Sequence, residues 1–227
     1  MQYMSWGMSV VLEMFPESAS QKNVVKYFPT IEAALNDAGI LDLRLKVFAY
    51  ATIRAESASF RPIPEELCKL NSMRTADVSA ISNSNVKDLV SVSNAIIKKY
   101  GFDDKFGRYN YRMGNEARGM AENYKGRGFI QLTGKDNYLR MSKALSLPTL
   151  LENPDLALEP NVAAKILAAY IKASLSSIEK ALNAGNLKKA RSLVNGGTHG
   201  MDHFQKAYQV GSRLALPNDS PRTDNIA

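Results

Sequence analysis

The sequence predicts a mainly α-helical protein built as one domain. Apolar side chains recur at spacings of three and four residues in several segments, which is the period of an amphipathic helix. The chain has 227 residues, enough for one well-buried domain with two lobes around a cleft, and short for two independent domains. Hydrophobic residues make up 45% and charged residues 22%, an ordinary globular composition. We therefore predict a single domain over residues 1–216 and a polar, frayed tail over residues 217–227.

Two amphipathic helices are predicted in the first part of the chain. The first covers residues 22–38, where apolar positions follow the helical period. Pro29 lies inside this span and predicts a kink or a break into two pieces, and Gly39 ends the helix. The second helix is predicted from about Asp42, a suitable N-cap residue, to about Ser57, with one apolar face turned inward.

A carboxylate in the last turn of the second helix, Glu56, is the first candidate for chemistry. The negative end of the helix dipole disfavours a carboxylate there, so stability alone would not choose it. Two prolines in residues 61–66 prevent the helix from continuing, which predicts a turn or loop. This segment carries Glu65, with Glu66 as its rival. The loop must fold back for Glu56 and Glu65 to face each other, and a solvated loop is the alternative.

The remaining elements are predicted in chain order. Residues 76–100 form one or two helices that line a lobe, and residues 101–122 form a loop with basic and aromatic side chains at the edge of a cleft. Further helices cover about residues 136–145 and residues 161–174, the latter strongly apolar and therefore in the core. A last pair of helices flanks Asn195-Gly196-Gly197.

A glycine-rich stretch over residues 124–138, with the sequence YKGRGFIQLTGKDNY, is the most distinctive part of the chain. Its three glycines permit tight bends and a close approach of backbone to ligand, while its apolar residues can anchor it in a core. The amide of Gln131 and the hydroxyl of Thr133 suit recognition of sugar hydroxyls or the holding of one water molecule. The alternative is a glycine-rich turn that leads into a helix capped by Thr133.

Charge and composition limit the partners. A formal charge of +7 favours a polyanion, and both nucleic acid and bacterial cell wall qualify. The lysines and arginines are spread along the chain, so we expect no nucleic-acid partner. No apolar run is long enough to span a bilayer, and residues 1–15 lack the basic start and cleavage site of a signal peptide. Cys68 is the only cysteine, which excludes an internal disulfide and fits synthesis in a reducing compartment.

No metal or cofactor is expected. The two histidines, His199 and His203, are four residues apart, a spacing that zinc ligands use. A third ligand such as Asp202 would not share their helix face, and catalytic zinc sites usually have three protein ligands. No Ser-His-Asp order and no phosphate-binding loop signature is present in the sequence.

Residues 124–138 and residues 54–65, with the sequence RAESASFRPIPE, together resemble the glycoside hydrolase family 19 group of chitinases and endolysins. The fold of this group is related to lysozyme, so the resemblance implies a two-lobed helical domain with a substrate cleft. Further matches occur in the family's order, at Arg112-Met113-Gly114-Asn115-Glu116, Asn153-Pro154-Asp155-Leu156-Ala157 and Val194-Asn195-Gly196-Gly197. The resemblance extends from about residue 15 to about residue 208 and is weakest across residues 69–100.

The resemblance implies a role for each matched residue. Glu56 is expected to be the general acid, Glu65 the general base, and Thr133 a holder of the attacking water. The residues expected to bind sugar are Tyr124, Arg127, Gln131, Asn137 and Asn195. Two positions depart from the family. It commonly has His immediately before the acid, where this chain has Ala55, and an arginine where this chain has Phe204.

The function implied by the resemblance is inverting hydrolysis of β-1,4 bonds in an N-acetylated glycan. The compact, basic, cysteine-poor chain is similar to phage endolysins and their bacterial relatives, which favours peptidoglycan (as a muramidase or glucosaminidase) over chitin. One alternative is a lytic transglycosylase, which uses a single Glu in a Glu-Ser-x-x-Phe context like residues 56–60. Another is a catalytically silent wall-binding module, which the departures at Ala55 and Phe204 motivate. We expect a monomer, made in the cytoplasm without a signal peptide, that acts on the cell wall in the periplasm after release or delivery.

Overall fold

The computed structural model describes residues 6–65, 113–114, 123–195, 197 and 200–216. Within these ranges the chain is mainly helical, which confirms the predicted fold class. The helices are α1 Trp6–Met14, α2 Ser18–Asp37, α3 Leu43–Glu56, α4 Lys135–Ala144, α5 Thr149–Glu152, α6 Pro160–Ala173, α7 Leu175–Asn183, α8 Leu187–Asn195 and α9 Met201–Ala215. A 3₁₀ helix spans Pro154–Leu158, and two short strands are β1 Ile63–Pro64 and β2 Arg127–Gly128.

The first predicted helix is the single helix α2, and Pro29 lies inside it without dividing it. The predicted break into two pieces is therefore wrong. Proline removes one backbone hydrogen bond from a helix interior. Buried side chains before and after it, including Phe28 and Ile31, hold both halves of α2 against the same core.

A glycine ends α2, as predicted. Gly39 has a φ of +78°, in the left-handed region that glycine adopts without a steric penalty. Its N–H donates to the Asn36 carbonyl and the Ile40 N–H donates to the Leu35 carbonyl, both at 2.9 Å. This is the paired bonding of a Schellman motif, with Leu35 and Ile40 buried beneath it.

Helix α3 is the central helix of the core and packs most extensively against α9. It begins as predicted, because the Asp42 carboxylate accepts a hydrogen bond from the Arg44 backbone N–H at 2.7 Å. The predicted inward face is confirmed, since Leu45, Phe48, Ala49, Thr52 and Ile53 are all buried. A buried α3 fixes the position of Glu56, its last residue.

An aromatic cluster centred on Phe60 joins the residue that follows α1, helix α3 and the glycine-rich stretch. The Phe60 ring lies 4.8 Å from Phe15, 6.2 Å from Tyr50 and 6.3 Å from Phe129, measured between centroids. Phe60 is fully buried and has a φ of +50°, which is uncommon for a residue with a side chain. The core therefore holds the segment between the two candidate glutamates in a single conformation.

Residues 63–64 of the predicted loop form a strand instead. β1 pairs antiparallel with β2, in a register that sets Ile63 opposite Gly128 and Pro64 opposite Arg127. The prolines of this segment have no N–H, so it offers few donors and pairs over a very short length. The pairing brings the loop that carries Glu65 onto the glycine-rich stretch.

The later helices agree with their predictions. The helices predicted over residues 136–145 and 161–174 are α4 and α6, and the last predicted pair is α8 and α9. The predictions for residues 76–100, the loop over residues 101–122 and the tail over residues 217–227 fall largely or wholly outside the described residues. The two lobes, the cleft and the domain boundary stay predictions. Among the helices described, none is both long and apolar enough to cross a membrane.

Candidate active site

Glu56 is partly buried at the end of α3. Its side chain is 14% exposed, and its Oε1 accepts a hydrogen bond from the Arg191 Nη2 in α8. Arg191 is itself fully buried. The opposite charge compensates for the loss of water around the carboxylate. Sequence reasoning missed Arg191, although a charged residue between the buried Ala190 and Val194 of an amphipathic helix is a signal that could have identified it.

The turn that follows Glu56 is held by α2. The Ser20 hydroxyl donates to the Ala58 carbonyl at 2.8 Å, and the Asn23 amide donates to the Ser59 carbonyl at 2.7 Å. These bonds satisfy two backbone carbonyls of the turn that follows α3. The chain therefore leaves Glu56 in a fixed direction, toward Phe60 and β1.

Glu65 is fixed by Gly126 through two hydrogen bonds. The Glu65 backbone N–H donates to the Gly126 carbonyl at 2.7 Å. The Gly126 N–H donates in return to the Glu65 Oε2 at 3.0 Å. The candidate base is thus attached to the glycine-rich stretch by its backbone and its carboxylate. The rival Glu66 lies outside the described residues.

Three side-chain oxygens converge beside Gly126. A β-carbon built on this glycine would stand 2.7 Å from the Gln131 Oε1, 3.1 Å from the Thr133 Oγ1 and 3.2 Å from the Glu65 Oε2. Such short distances show that the three oxygens lie close together beside Gly126, at a position where a residue with a side chain would clash with them. We call this group of three oxygens and Gly126 the oxygen niche.

Thr133 does not cap the following helix, so that alternative is wrong. The N-cap of α4 is Gly134, which makes no side-chain cap bond and has a φ of +86°. The helix therefore begins at Lys135, one residue later than a Thr133 cap would require. The Thr133 hydroxyl instead donates to the Gln131 carbonyl at 2.8 Å. Its single proton is therefore used, and its lone pairs remain as hydrogen-bond acceptors.

Gln131 joins the oxygen niche to β1. Its Nε2 donates to the Ile63 carbonyl at 2.9 Å, which leaves its Oε1 turned toward Gly126. Its φ is +53°, so Gln131, like Phe60, occupies a backbone region that is costly for residues with side chains. Residues held in such conformations concentrate at functional sites.

Arg127, a predicted sugar-binding residue, is only 5% exposed and is bonded to protein groups. Its Nε donates to the Asp155 carboxylate at 2.7 Å. Its Nη1 donates to the carbonyls of Asn123 and Lys125 and to the Tyr138 hydroxyl, at 2.9 to 3.1 Å. These contacts argue for a role in shaping the glycine-rich stretch.

Tyr138 completes this buried group. Its hydroxyl donates to the Lys125 carbonyl at 3.0 Å while it accepts from Arg127. Burial raises the pKa of Tyr138 to about 12, although the Arg127 guanidinium acts in the opposite direction. The hydroxyl therefore stays protonated and keeps its donor role at neutral pH.

The other predicted sugar-binding residues also make protein contacts. The Tyr124 hydroxyl donates to the Leu151 carbonyl at 3.2 Å. The Asn137 amide donates to the Thr133 carbonyl at 2.7 Å and accepts from Arg140 at 2.8 Å. Asn195 ends α8, and its side chain lies outside the described part of the structure. Direct sugar contact by these residues stays a prediction.

Phe204, where the resemblance leads us to expect an arginine, lies in the core. Phe204 of α9 is fully buried, with its ring 5.5 Å from Phe48 and 6.0 Å from Tyr208. The Arg191 guanidinium lies 5.9 Å from the same ring. The other departure, Ala55, packs closely against Gly200, where an added β-carbon would stand 2.7 Å from the Ala55 carbonyl oxygen.

Two other features lie apart from this site. A cavity of about 220 Å³ is lined by residues of α1, α2, α3 and the end of α9, including Glu32, Lys46 and Tyr50, and by none of the candidate residues. Among the described residues, no group of three or more His, Cys, Asp or Glu side chains is placed to hold a metal ion. His199 falls outside those residues.

Comparison with known proteins supports a family-level relation. No protein-family model matches the chain. A curated Haemophilus influenzae protein named "Glycosyl hydrolase family 19 domain-containing protein" is 36% identical to it over 108 residues. The match covers 45% of this chain and 48% of that protein, so the chain spans about half the length of this relative. This similarity supports, at the level of the family, a glycoside hydrolase type of function related to family 19.

Proposed function

We propose that the chain is an inverting glycoside hydrolase that cleaves β-1,4-glycosidic bonds of bacterial peptidoglycan. The observation that carries this proposal is the oxygen niche, in which a carboxylate, a hydroxyl and an amide oxygen lie close together beside Gly126. A second carboxylate, Glu56, is held nine residues before Glu65 in a partly buried setting. Inverting glycosidases need such a pair, one carboxyl as acid and one as base.

In the proposed reaction, Glu56 donates a proton to the oxygen of the leaving sugar. Glu65 accepts a proton from a water molecule in the oxygen niche, and this water attacks the anomeric carbon from the opposite face. Because the Thr133 hydroxyl already donates to the Gln131 carbonyl, it can only accept from the water. The water then directs both protons at the protein and its lone pair at the sugar.

Charge favours peptidoglycan over chitin as substrate. The formal charge of +7 attracts an anionic wall polymer over long distances, whereas chitin carries no such charge. With the bacterial wall as substrate, we propose that the chain is made in the cytoplasm and acts on the wall after release or delivery. Chitin oligomers are the second candidate substrate.

Digestion of purified peptidoglycan and of chitin oligomers, followed by mass spectrometry of the products, tests the proposal. We expect hydrated reducing ends from peptidoglycan, with inverted anomeric configuration in NMR spectra taken immediately after cleavage. Products with 1,6-anhydro ends would favour the lytic transglycosylase alternative. Wall binding without any product would favour the silent module and would overturn the enzymatic proposal.

Thr133→Val should lower kcat by roughly ten- to a thousandfold with little change in KM, because it removes one acceptor that positions the water. Thr133→Ser keeps the hydroxyl and should retain much of the rate. Steady-state kinetics of both variants, with melting temperatures, provide the measurement. A normal kcat in the valine variant would exclude Thr133 from the positioning of water.

A further inference from the structure

We propose that Arg191 is the positioning residue for Glu56, and that it fixes which carboxyl oxygen delivers the proton. This inference rests on the proposed function, since it assigns a role within the same site. Arg191 bonds Glu56 at Oε1. In our assignment the carboxyl group is protonated at Oε2 when it acts as the acid, while Oε1 still accepts the hydrogen bond from Arg191. Oε2 then faces the leaving oxygen of the sugar.

Burial makes the Glu56–Arg191 pair a rigid one. Arg191 is fully buried and the Glu56 side chain is 14% exposed, so little water competes for the bond between them. Removal of one partner from a buried pair leaves an uncompensated charge, which is strongly unfavourable. The bond to Arg191 therefore favours one orientation of the Glu56 carboxyl group.

The surroundings of Arg191 restrict its guanidinium further. The Phe204 ring lies 5.9 Å from the guanidinium, within the range of a cation–π interaction. That ring packs edge-on against Phe48 of α3, the same helix that ends at Glu56. Phe204 of α9 thus contacts both Arg191 of α8 and Phe48 of α3. An arginine at position 204 would not offer Arg191 this aromatic face.

A double-mutant cycle tests whether the pair holds Glu56. Unfolding by urea is measured for the wild type, Arg191→Met, Glu56→Gln and the double variant. We expect each single variant to unfold at lower urea concentration, and the double variant to lose less than the two single losses combined. If Arg191→Met alone fails to fold, recovery of folding in the double variant gives the same support. Strictly additive losses would overturn the inference.

Kinetics separate positioning from a merely structural salt bridge. Arg191→Met should lower kcat by about a hundredfold with KM nearly unchanged, the size of effect expected from a misplaced catalytic group. Arg191→Lys keeps the charge and should recover part of kcat. Lys188→Met is the matched control, because it removes one cation from an exposed position of the same helix. It should leave kcat unchanged.

The outcomes distinguish this inference from the proposed function. Coupled unfolding together with a lower kcat supports the role of Arg191. Coupled unfolding with a kcat equal to that of the Lys188 variant would overturn it, since the pair would then only stabilise the fold. A wild-type chain without hydrolytic products would overturn the proposed function, whereas the unfolding cycle needs no turnover and still decides whether Arg191 holds Glu56.

Discussion

Glu65→Gln is expected to lower kcat for peptidoglycan hydrolysis by roughly 10²- to 10⁴-fold, the contribution usual for a general base. The glutamine oxygen can still accept the hydrogen bond that Gly126 donates at 3.0 Å, so the attachment of this segment should survive. The neutral amide, however, cannot take a proton from water. Release of reducing ends over time measures the effect, and a melting curve verifies the fold.

An exposed glutamate provides the control for this substitution. Glu13→Gln on α1 makes the same chemical change at an exposed surface position and should leave kcat unchanged. If Glu65→Gln retained the wild-type rate, the paired-carboxylate mechanism would be wrong. Retained rate together with 1,6-anhydro products would identify Glu56 as the single acid of a transglycosylase.

Gly126→Ala is also expected to lower kcat, although it leaves the side chains of Glu65, Gln131 and Thr133 chemically unchanged. The added methyl would stand 2.7 Å from the Gln131 Oε1 and close to the oxygens of Thr133 and Glu65, so it would occupy the oxygen niche. The backbone of Gly126 is not left-handed, and alanine can adopt its conformation. We expect kcat to fall by about a hundredfold, as for a misplaced reacting group.

Gly185→Ala is the control for Gly126→Ala, and it is expected to affect stability but not kcat. Gly185 lies in the turn between α7 and α8 with a φ of +67°, and a β-carbon there would meet nothing within 4 Å. Alanine should lower the melting temperature there through backbone strain while kcat stays unchanged. Should Gly126→Ala show this same pattern, the oxygen niche would have no part in catalysis.

Local patterns in the sequence were sufficient to predict most of the helices. Periodicity predicts α2 and α3, and a strongly apolar run predicts α6. Asp42 and Gly39 mark helix ends that depend on a few neighbouring residues. The error at Pro29 has a tertiary cause, since burial on both sides of the proline outweighs its local cost.

The candidate site could be predicted only as a set of residues. The family resemblance indicates Glu65, Gln131 and Thr133, but their meeting beside Gly126 depends on β1–β2 pairing across the chain. The local sequence allows Thr133 to be an N-cap, but in the structure Gly134, with a φ of +86° and a ψ of 140°, takes that position. The position of Arg191 on the apolar face of α8 is a local signal, but its pairing with Glu56 spans 135 residues and no local rule connects the two.

During synthesis the Glu56–Arg191 pair cannot form until Arg191 has been added to the chain. A ribosome adds about 5 to 20 residues per second, so the 135 residues between these partners take roughly 7 to 27 s to make. Throughout that interval α3 exists without α8 and α9, the helices that would cover its last turn and supply its counter-charge. Until Arg191 is present the Glu56 carboxylate lacks its counter-charge, so burial of the C-terminal end of α3 is unfavourable before α8 has been made.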